Sequence, residues 1–144
     1  AILLSYNLEK MKVYKNDYKT YKNPKTITQK SLKVYSYLFN GLLNENQSNI
    51  IQTKKYYDNF LNNLHNLDNS SKENPISLRF KNSFRWSFLI TLVVSRIYYY
   101  GLSSKGKNIK KAKKILSVAS EQYYLIKRTK FWKDEYNKII NHKL

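Results

Sequence analysis

The sequence of 144 residues contains no cysteine, three glycines, two prolines and two histidines. Without cysteine, the chain can form neither a disulfide scaffold nor a metal site built on thiolates. The two histidines, His65 and His142, lie too far apart in sequence to make a zinc site by themselves. Three glycines are too few for a phosphate-binding loop or a dinucleotide fingerprint. We therefore expect no bound metal ion and no cofactor.

Acidic residues are also scarce, with nine spread along the chain. General acid–base catalysis needs two carboxyl groups near a common substrate, and no spacing in this sequence brings such a pair together. We interpret Asp134 and Glu135 as residues of a helix N-terminal half, where they complement the helix dipole. His65 and His142 are expected at helix ends or on the surface. No base is placed near the serines and threonines, so we predict that the protein is not an enzyme and has no small-molecule substrate.

Basic residues are abundant, since 27 Lys+Arg against nine Asp+Glu give a formal net charge of +18. Lysine exceeds arginine by 23 to 4, and Lys, Asn, Tyr and Ile together make up 66 of the 144 residues. These four amino acids have codons rich in A and T, so they are frequent in proteins from AT-rich genomes, such as those of organelles, parasites and reduced bacteria. This codon bias accounts for part of the lysine surplus. A charge of +18 on so short a chain still indicates a polyanionic partner, either nucleic acid or an anionic membrane surface.

The hydrophobic pattern is helical. Hydrophobic residues make up 42% of the chain, too many for a disordered basic tail, and they recur every three or four residues. This periodicity predicts helices around residues 4–21, 26–42, 49–64, 83–100, 108–119 and 129–140. We predict an all-α protein, a single bundle of five or six helices over residues 1–144, with residues 1–22 as a candidate N-terminal extension. Residues 76–80 alternate like a strand but are too few to anchor a sheet.

Local signals set the expected helix ends. The capping spacing of Thr26 with Gln29 begins the second helix, and Gly41 is expected near its end. Asn49 and Gln52 repeat the capping spacing before the third helix, and Asn108 is a candidate cap of the fifth helix. The apolar face of that helix is predicted to contain Ile50, Lys54, Tyr57, Leu61 and Leu64, with the Lys54 stem lying along it.

Residues 83–100 form the most hydrophobic segment. Only ten uncharged residues, Trp86 to Ser95, separate Arg85 from Arg96, well short of the roughly 20 that a membrane-spanning helix needs. A buried central helix is therefore the favoured interpretation. Three successive tyrosines at residues 98–100, with cations nearby, are typical of a membrane interface, so the membrane alternative stays open.

Basic side chains are grouped on one predicted helix and at the starts of two others. On a helical wheel, Lys107, Lys110, Lys111 and Lys114 share one sector, opposite an apolar stripe of Ile109, Ala112, Ile115, Leu116 and Ala119. A solvated face is the commoner fate of such runs, but four like charges at this spacing repel unless an anion neutralises them. Two further groups precede the central and last helices: Arg79, Lys81 and Arg85, then Lys127, Arg128 and Lys130. The pattern favours contact with RNA phosphates.

The order of these elements resembles a known family. Residues 34–38, Val-Tyr-Ser-Tyr-Leu, are similar to a Val-Tyr-x-x-Leu motif that follows a Lys/Ser/Thr-rich helix start, here containing Lys25 and Lys30. Arg79 and Arg85-Trp86 are similar to an Arg-rich segment ending in Arg-Trp. Residues 112–119 resemble the next helix, and Lys127-Arg128, Glu135, Asn137-Lys138 and His142 follow the spacing of the last one. The family is the universal small-subunit ribosomal protein number seven.

This resemblance implies a structural protein that binds ribosomal RNA in the head of the small subunit near the tRNA exit site. Neighbouring ribosomal proteins are implied as partners, and exit-site tRNA or messenger RNA as candidate contacts. The family's contact with tRNA and messenger RNA uses a Gly-Gly β-hairpin, whereas residues 61–86 contain no glycine, so we expect the hairpin to be reduced or absent. A divergent organellar ribosome, in the mitochondrion, is the expected location.

Two other functions remain open at this point. One is a basic subunit of a mitochondrial inner-membrane complex, with residues 83–100 embedded and the lysines on anionic lipid. The other is a different ribosomal protein.

The central helix provides the first prediction. If Trp86 is a core residue of the bundle, Trp86→Ala should cost about 3–5 kcal/mol of stability. The variant should then be missing from assembled particles, as measured by its incorporation relative to the wild-type chain. Wild-type incorporation would instead place Trp86 on a lipid-facing or dispensable surface.

Overall fold

The computed structural model describes residues 27–69, 84–117 and 130–144, and in these ranges it contains helices and no strand. The predicted all-α class is confirmed. The predicted helix at residues 4–21 and the strand-like residues 76–80 lie outside the described ranges. The five helices are α1 (Ile27–Asn46), α2 (Ile50–Asn69), α3 (Phe84–Tyr100), α4 (Ile109–Ser117) and α5 (Lys130–Ile140).

The chain divides into two compact units, Ala1–Pro75 and Ile76–Leu144. The first contains α1 and α2, and the second contains α3, α4 and α5. The prediction of one bundle over residues 1–144 stays a prediction.

In the first unit, α1 and α2 form a hairpin with a tight connection. Beyond the end of α1, Ser48 adopts a positive φ of 60°, the left-handed conformation common just after a helix. Asn49 then caps α2, because its Oδ1 accepts a hydrogen bond from the Gln52 amide at 3.2 Å. This confirms Asn49 as the predicted cap. The Asn49 amide itself donates to the Asn44 carbonyl, so the connection is bonded from both sides.

The core of the hairpin consists of apolar side chains from both helices. Its buried members are Val34, Leu38, Phe39 and Leu42 of α1 and Tyr57, Phe60 and Leu61 of α2. Two of the side chains predicted for the buried face of α2 are exposed: Ile50 keeps 72% of its surface accessible, and Lys54 is also in solvent. Thr53 is buried instead. The prediction was wrong at these two positions: Ile50 shares the face of Tyr57 but is the first residue of α2, at the end of the hairpin, and Lys54 falls at the margin of that face.

Gly41 is buried inside α1, five residues before the helix ends at Asn46, whereas the sequence predicts the helix end close to it. A Cβ atom at this position would lie 2.4 Å from Cε1 of Tyr57 and 2.5 Å from Cδ1. The glycine therefore allows the Tyr57 ring to pack directly on the backbone of α1. The Tyr57 hydroxyl donates to Oε1 of Glu45 at 2.8 Å, one turn further along α1, which fixes the ring over Gly41.

Asparagine side chains in this hairpin satisfy their polarity locally. The buried Asn40 donates from Nδ2 to the Ser36 carbonyl at 2.8 Å, and Asn44 donates to the Asn40 carbonyl at 2.7 Å. Asn63 repeats the bond to the carbonyl four residues before it. Because a buried amide without a partner costs stability, these bonds let an Asn-rich sequence form a hairpin core.

In the second unit, α3 is the buried helix that the sequence predicts. Its side chains are described from Ile90 onward, and Ile90, Leu92, Val93 and Ile97 are at most 2% exposed. The side chains of Arg85 and Trp86 lie outside the described residues. Among the residues that the structure describes, no helix is both long enough and apolar enough to cross a membrane.

The close approach at Gly41 gives the second prediction. On an exposed helix, Gly→Ala stabilises by about 1 kcal/mol, but here we expect Gly41→Ala to destabilise by about 1–3 kcal/mol because the new methyl group overlaps the Tyr57 ring. Chemical denaturation of Gly41→Ala, Tyr57→Ala and the double variant would measure this coupling. The double variant should be more stable than the sum of the single losses, whereas strict additivity would contradict the contact.

Candidate nucleic-acid interface

The cationic helix α4 follows a structured loop. At Gly101 the chain leaves α3 with φ +69°, and a Cβ there would lie 3.2 Å from the Lys107 amide nitrogen. The Asn108 amide returns to donate to the Tyr98 carbonyl at 2.7 Å. The Asn108 side chain then caps α4, since its Oδ1 accepts from the Lys111 amide at 3.0 Å. The predicted cap is confirmed.

One face of α4 is fixed within the second unit. Ala112 and Leu116 are fully buried, with 0% exposure each. The buried Ser95 hydroxyl of α3 donates to the Ala112 carbonyl at 2.8 Å, which prevents rotation of α4 about its axis. Ile109 and Ile115 are half-buried at the margins of this face. The predicted apolar stripe is confirmed at these four positions, while Ala119 lies outside the described residues.

The opposite face of α4 carries the lysines. Lys110, Lys111 and Lys114 are exposed, as is Lys107 just before the helix. Lys111 places Nζ 4.5 Å from the centre of the Tyr98 ring, a cation–π contact that orients its side chain. An open depression of about 540 Å³ lies on this face, and its lining residues are Asn108, Lys110, Lys111, Lys114 and Ile115.

Lys113 points the other way. Its ammonium group donates to the carbonyl oxygen of His142, beyond the end of α5. His142 in turn places Nδ1 2.8 Å from the Tyr99 hydroxyl, and the two rings meet edge to face. These contacts attach the residues after α5 to α3 and α4, so Lys113 has a structural role that the other α4 lysines do not share.

An ion pair inside the unit connects α3 to α5. Arg96 is only 6% exposed, and its Nε lies 3.6 Å from Oε1 of Glu135. Oε2 of the same carboxylate accepts a hydrogen bond from the Tyr100 hydroxyl at 2.6 Å. The sequence interpretation of Asp134 and Glu135 as dipole partners was wrong, because α5 begins at Lys130 and its first turn contains no acidic residue. The dipole effect is confined to that turn.

Aromatic rings enclose the Arg96 guanidinium. It lies over the rings of Tyr100, Phe131 and Trp132 at 5.1, 5.4 and 5.9 Å from their centres. These quadrupoles favour the cation and offset part of its desolvation. Burial, then the hydrogen bond to Glu135, raises the pKa of Tyr100 above its ordinary value, while nearby Lys138 opposes the shift. A hydrogen bond with the Tyr100 side chain, in turn, raises the pKa of Lys138 above its ordinary value.

The other predicted RNA contacts are not brought together by the described residues. Lys30 is half-buried on α1 in the first unit, and Lys130 is exposed at the start of α5 in the second. Arg85 belongs to α3, but its side chain is outside the described residues. Five others lie wholly outside the described ranges: Lys25, Arg79, Lys81, Lys127 and Arg128. Among the described residues, the predicted RNA contacts that share one surface are Lys107, Lys110, Lys111 and Lys114.

Acid–base chemistry has no assembled site in the described ranges. His65 is exposed on α2, which agrees with the predicted surface position, and the helix continues past it to Asn69. His142 is engaged by Tyr99. In the part of the chain that the structure describes, no three His, Asp or Glu side chains lie close enough to hold a metal ion.

No family model, no curated protein and no solved structure matches this chain.

Sequence reasoning missed several residues that shape the interface. Tyr98, which lies under Lys111, had no signal beyond its place in a run of three tyrosines. Lys113 did have a signal in the sequence, because on the helical wheel it falls outside the sector shared by the other lysines. Arg96 also had one, since a single arginine inside an apolar helix needs a partner, although nothing in the sequence pointed to Glu135.

The buried ion pair gives the third prediction. Glu135→Gln should destabilise the second unit by about 2–3 kcal/mol, because Arg96 is left without its countercharge while Gln still accepts a bond from Tyr100. Asp134→Asn is the matched control on the neighbouring exposed residue and should change stability by less than about 0.5 kcal/mol. Denaturant unfolding would measure both. Equal small effects would mean that the pair does not hold α3 to α5.

Proposed function

We propose that this chain is a structural RNA-binding protein of the small ribosomal subunit, in a divergent mitochondrial ribosome. The observation that carries the proposal is the two-faced helix α4. Its Ala112 and Leu116 face is buried and bonded to α3, so its lysines are held outward as a fixed cationic surface. Such a surface suits the backbone of a folded RNA, to which the protein brings charge and shape.

Within the described residues, the exposed lysines on this face have no acidic partner. The helix sequence contains no acidic residue, and in the described part of the chain no carboxylate pairs with Lys107, Lys110, Lys111 or Lys114. Lysines at this spacing repel one another, and the protein as a whole carries +18. An RNA backbone removes this repulsion and releases its own counterions, which provides the free energy of binding.

The mechanism that follows has no catalytic residue. Lys107, Lys110, Lys111 and Lys114 neutralise phosphates where RNA helices meet, and so stabilise the local RNA fold for neighbouring proteins. Phosphate contacts position a protein on RNA without reading its bases. Further proposed RNA contacts in the second unit are Arg79, Lys81, Arg85, Lys127, Arg128 and Lys130. Lys25 and Lys30 are proposed contacts of the first unit, which is considered separately.

The assignment to the ribosomal family rests on the order of the local sequence matches. Three matched positions, Val34, Leu38 and Ala112, are buried, as packing positions of a shared fold would be. Two more, Glu135 and His142, make side-chain bonds that hold the second unit together. These matched residues therefore have packing or bonding roles in this structure, while the proposed family assignment depends on the sequence matches alone.

The fourth prediction tests the α4 surface. Replacing Lys107, Lys110, Lys111 and Lys114 by Gln should leave the fold intact, since Gln and Lys have similar helix propensities. Binding to small-subunit RNA should weaken, and the slope of log K against log salt should become shallower by about 0.9 for each duplex phosphate that the variant no longer neutralises. Binding at several salt concentrations, with circular dichroism as the check on folding, would measure this.

A matched control separates the surface from net charge. Lys54, Lys55, Lys133 and Lys143 are exposed elsewhere, and their replacement by Gln removes the same charge. This control should keep a steeper salt slope than the α4 variant. If the two variants show the same slope, or if the α4 variant binds like the wild type, the α4 lysines are not the residues that bind RNA.

A further inference from the structure

We infer that the depression on α4 holds an unpaired nucleotide, with its base against Ile115 and its phosphates on Lys110 and Lys114. The inference rests on the proposed function and deepens it, because it names the part of the RNA that this surface takes. A row of exposed lysines alone would take any duplex backbone. The depression has a shape and an apolar patch that a duplex backbone does not use.

The first observation is the size and lining of the depression. It is an open depression with a volume of about 540 Å³, so an occupant would keep one side in solvent. Lysines contribute three of its five lining residues, and the half-buried Ile115 adds an aliphatic surface at the boundary of the buried face. Its occupant therefore needs both negative charge and an apolar face.

The depression is also held in shape. Lys111 is oriented by the Tyr98 ring, and the Oδ1 atom of Asn108 is used by the Lys111 amide. The cap therefore leaves the Asn108 Nδ2 group as a donor in the lining. Because Ala112 is buried and bonded to Ser95, the helix cannot turn to close the depression or to bury Ile115 further.

A nucleotide combines the required properties, whereas a paired one cannot enter. In an RNA duplex the base faces are stacked inside, and the deep, narrow major groove keeps side chains from the bases. Phosphates of a duplex could reach the lysines, but Ile115 would stay uncovered. An unstacked base can lie flat on the aliphatic surface while the phosphates on either side reach Lys110 and Lys114. Proteins recognise unpaired nucleotides in bulges and loops in this way.

The experiment compares two synthetic RNA hairpins that differ by one bulged 2-aminopurine, each titrated with the full chain. The wild-type protein should bind the bulged hairpin about fivefold to tenfold more tightly, a modest preference since the base meets an aliphatic side chain rather than a ring. The fluorescence of the bulged base should change on binding because the base leaves its neighbours.

Three variants make the test specific. Ile115→Gln should reduce the preference to within about twofold while duplex affinity and salt slope stay as in the wild type, since the lysines remain and Gln is a good helix former. Ile115→Leu should keep the preference because it keeps the aliphatic surface. Ile109→Gln is the matched control, a half-buried isoleucine of the same helix that is outside the depression, and should also keep it.

The outcomes separate this inference from the proposed function. Equal wild-type affinity for both hairpins, with a normal salt slope, would overturn the nucleotide site and leave RNA binding standing. Loss of the preference in Ile109→Gln as well as Ile115→Gln would also overturn it, because the effect would then not be local. Failure to bind either hairpin would contradict the proposed function itself. Binding to phosphatidylglycerol vesicles that depends on Ile115, without a preference for the bulge, would assign the depression to lipid and overturn the inference.

Discussion

Burial of Ala112 and Leu116 is the constraint that gives the second unit its cationic surface. Side chains three and four residues apart share a face of a helix, so placing two of them in the core places Lys110, Lys111 and Lys114 in solvent. The bond from Ser95 to the Ala112 carbonyl adds a directional restraint to this packing. The orientation of the cationic surface is thus a consequence of the core.

The cationic side chains of the second unit lie in two different environments. Arg96 is buried among aromatic rings and beside Glu135, where removing either the rings or the carboxylate would leave a desolvated charge. The exposed lysines of α4 keep their hydration and have no carboxylate within the described residues to neutralise them. The first arrangement stabilises the fold. The second leaves positive potential available to a polyanion, and the electrostatic benefit appears only when that partner binds.

Features governed by neighbours in sequence were predictable. Caps at Asn49 and Asn108, the five described helices and the two faces of α4 all depend on residues within one or two helical turns of one another. The failures depend on contacts between helices. Considered alone, Gly41 indicates a helix end. In the structure it lies inside α1, because the ring of Tyr57, which is bonded to Glu45, packs against the α1 backbone at this glycine. Similarly, the sequence around Glu135 indicates only a partner of the helix dipole, because its ion pair with Arg96 depends on a contact with another helix.

Sedimentation of the native chain would show whether the protein belongs to the small ribosomal subunit, as we propose. Gradient centrifugation of a detergent-free extract would be followed by detection of the chain and of small-subunit RNA across the fractions. We expect the chain to co-migrate with the small subunit at low salt. High salt alone should release it, because counterions compete for the phosphates. A chain that stays with membranes at high salt and needs detergent for release would contradict the account, as would one that sediments free of RNA at low salt.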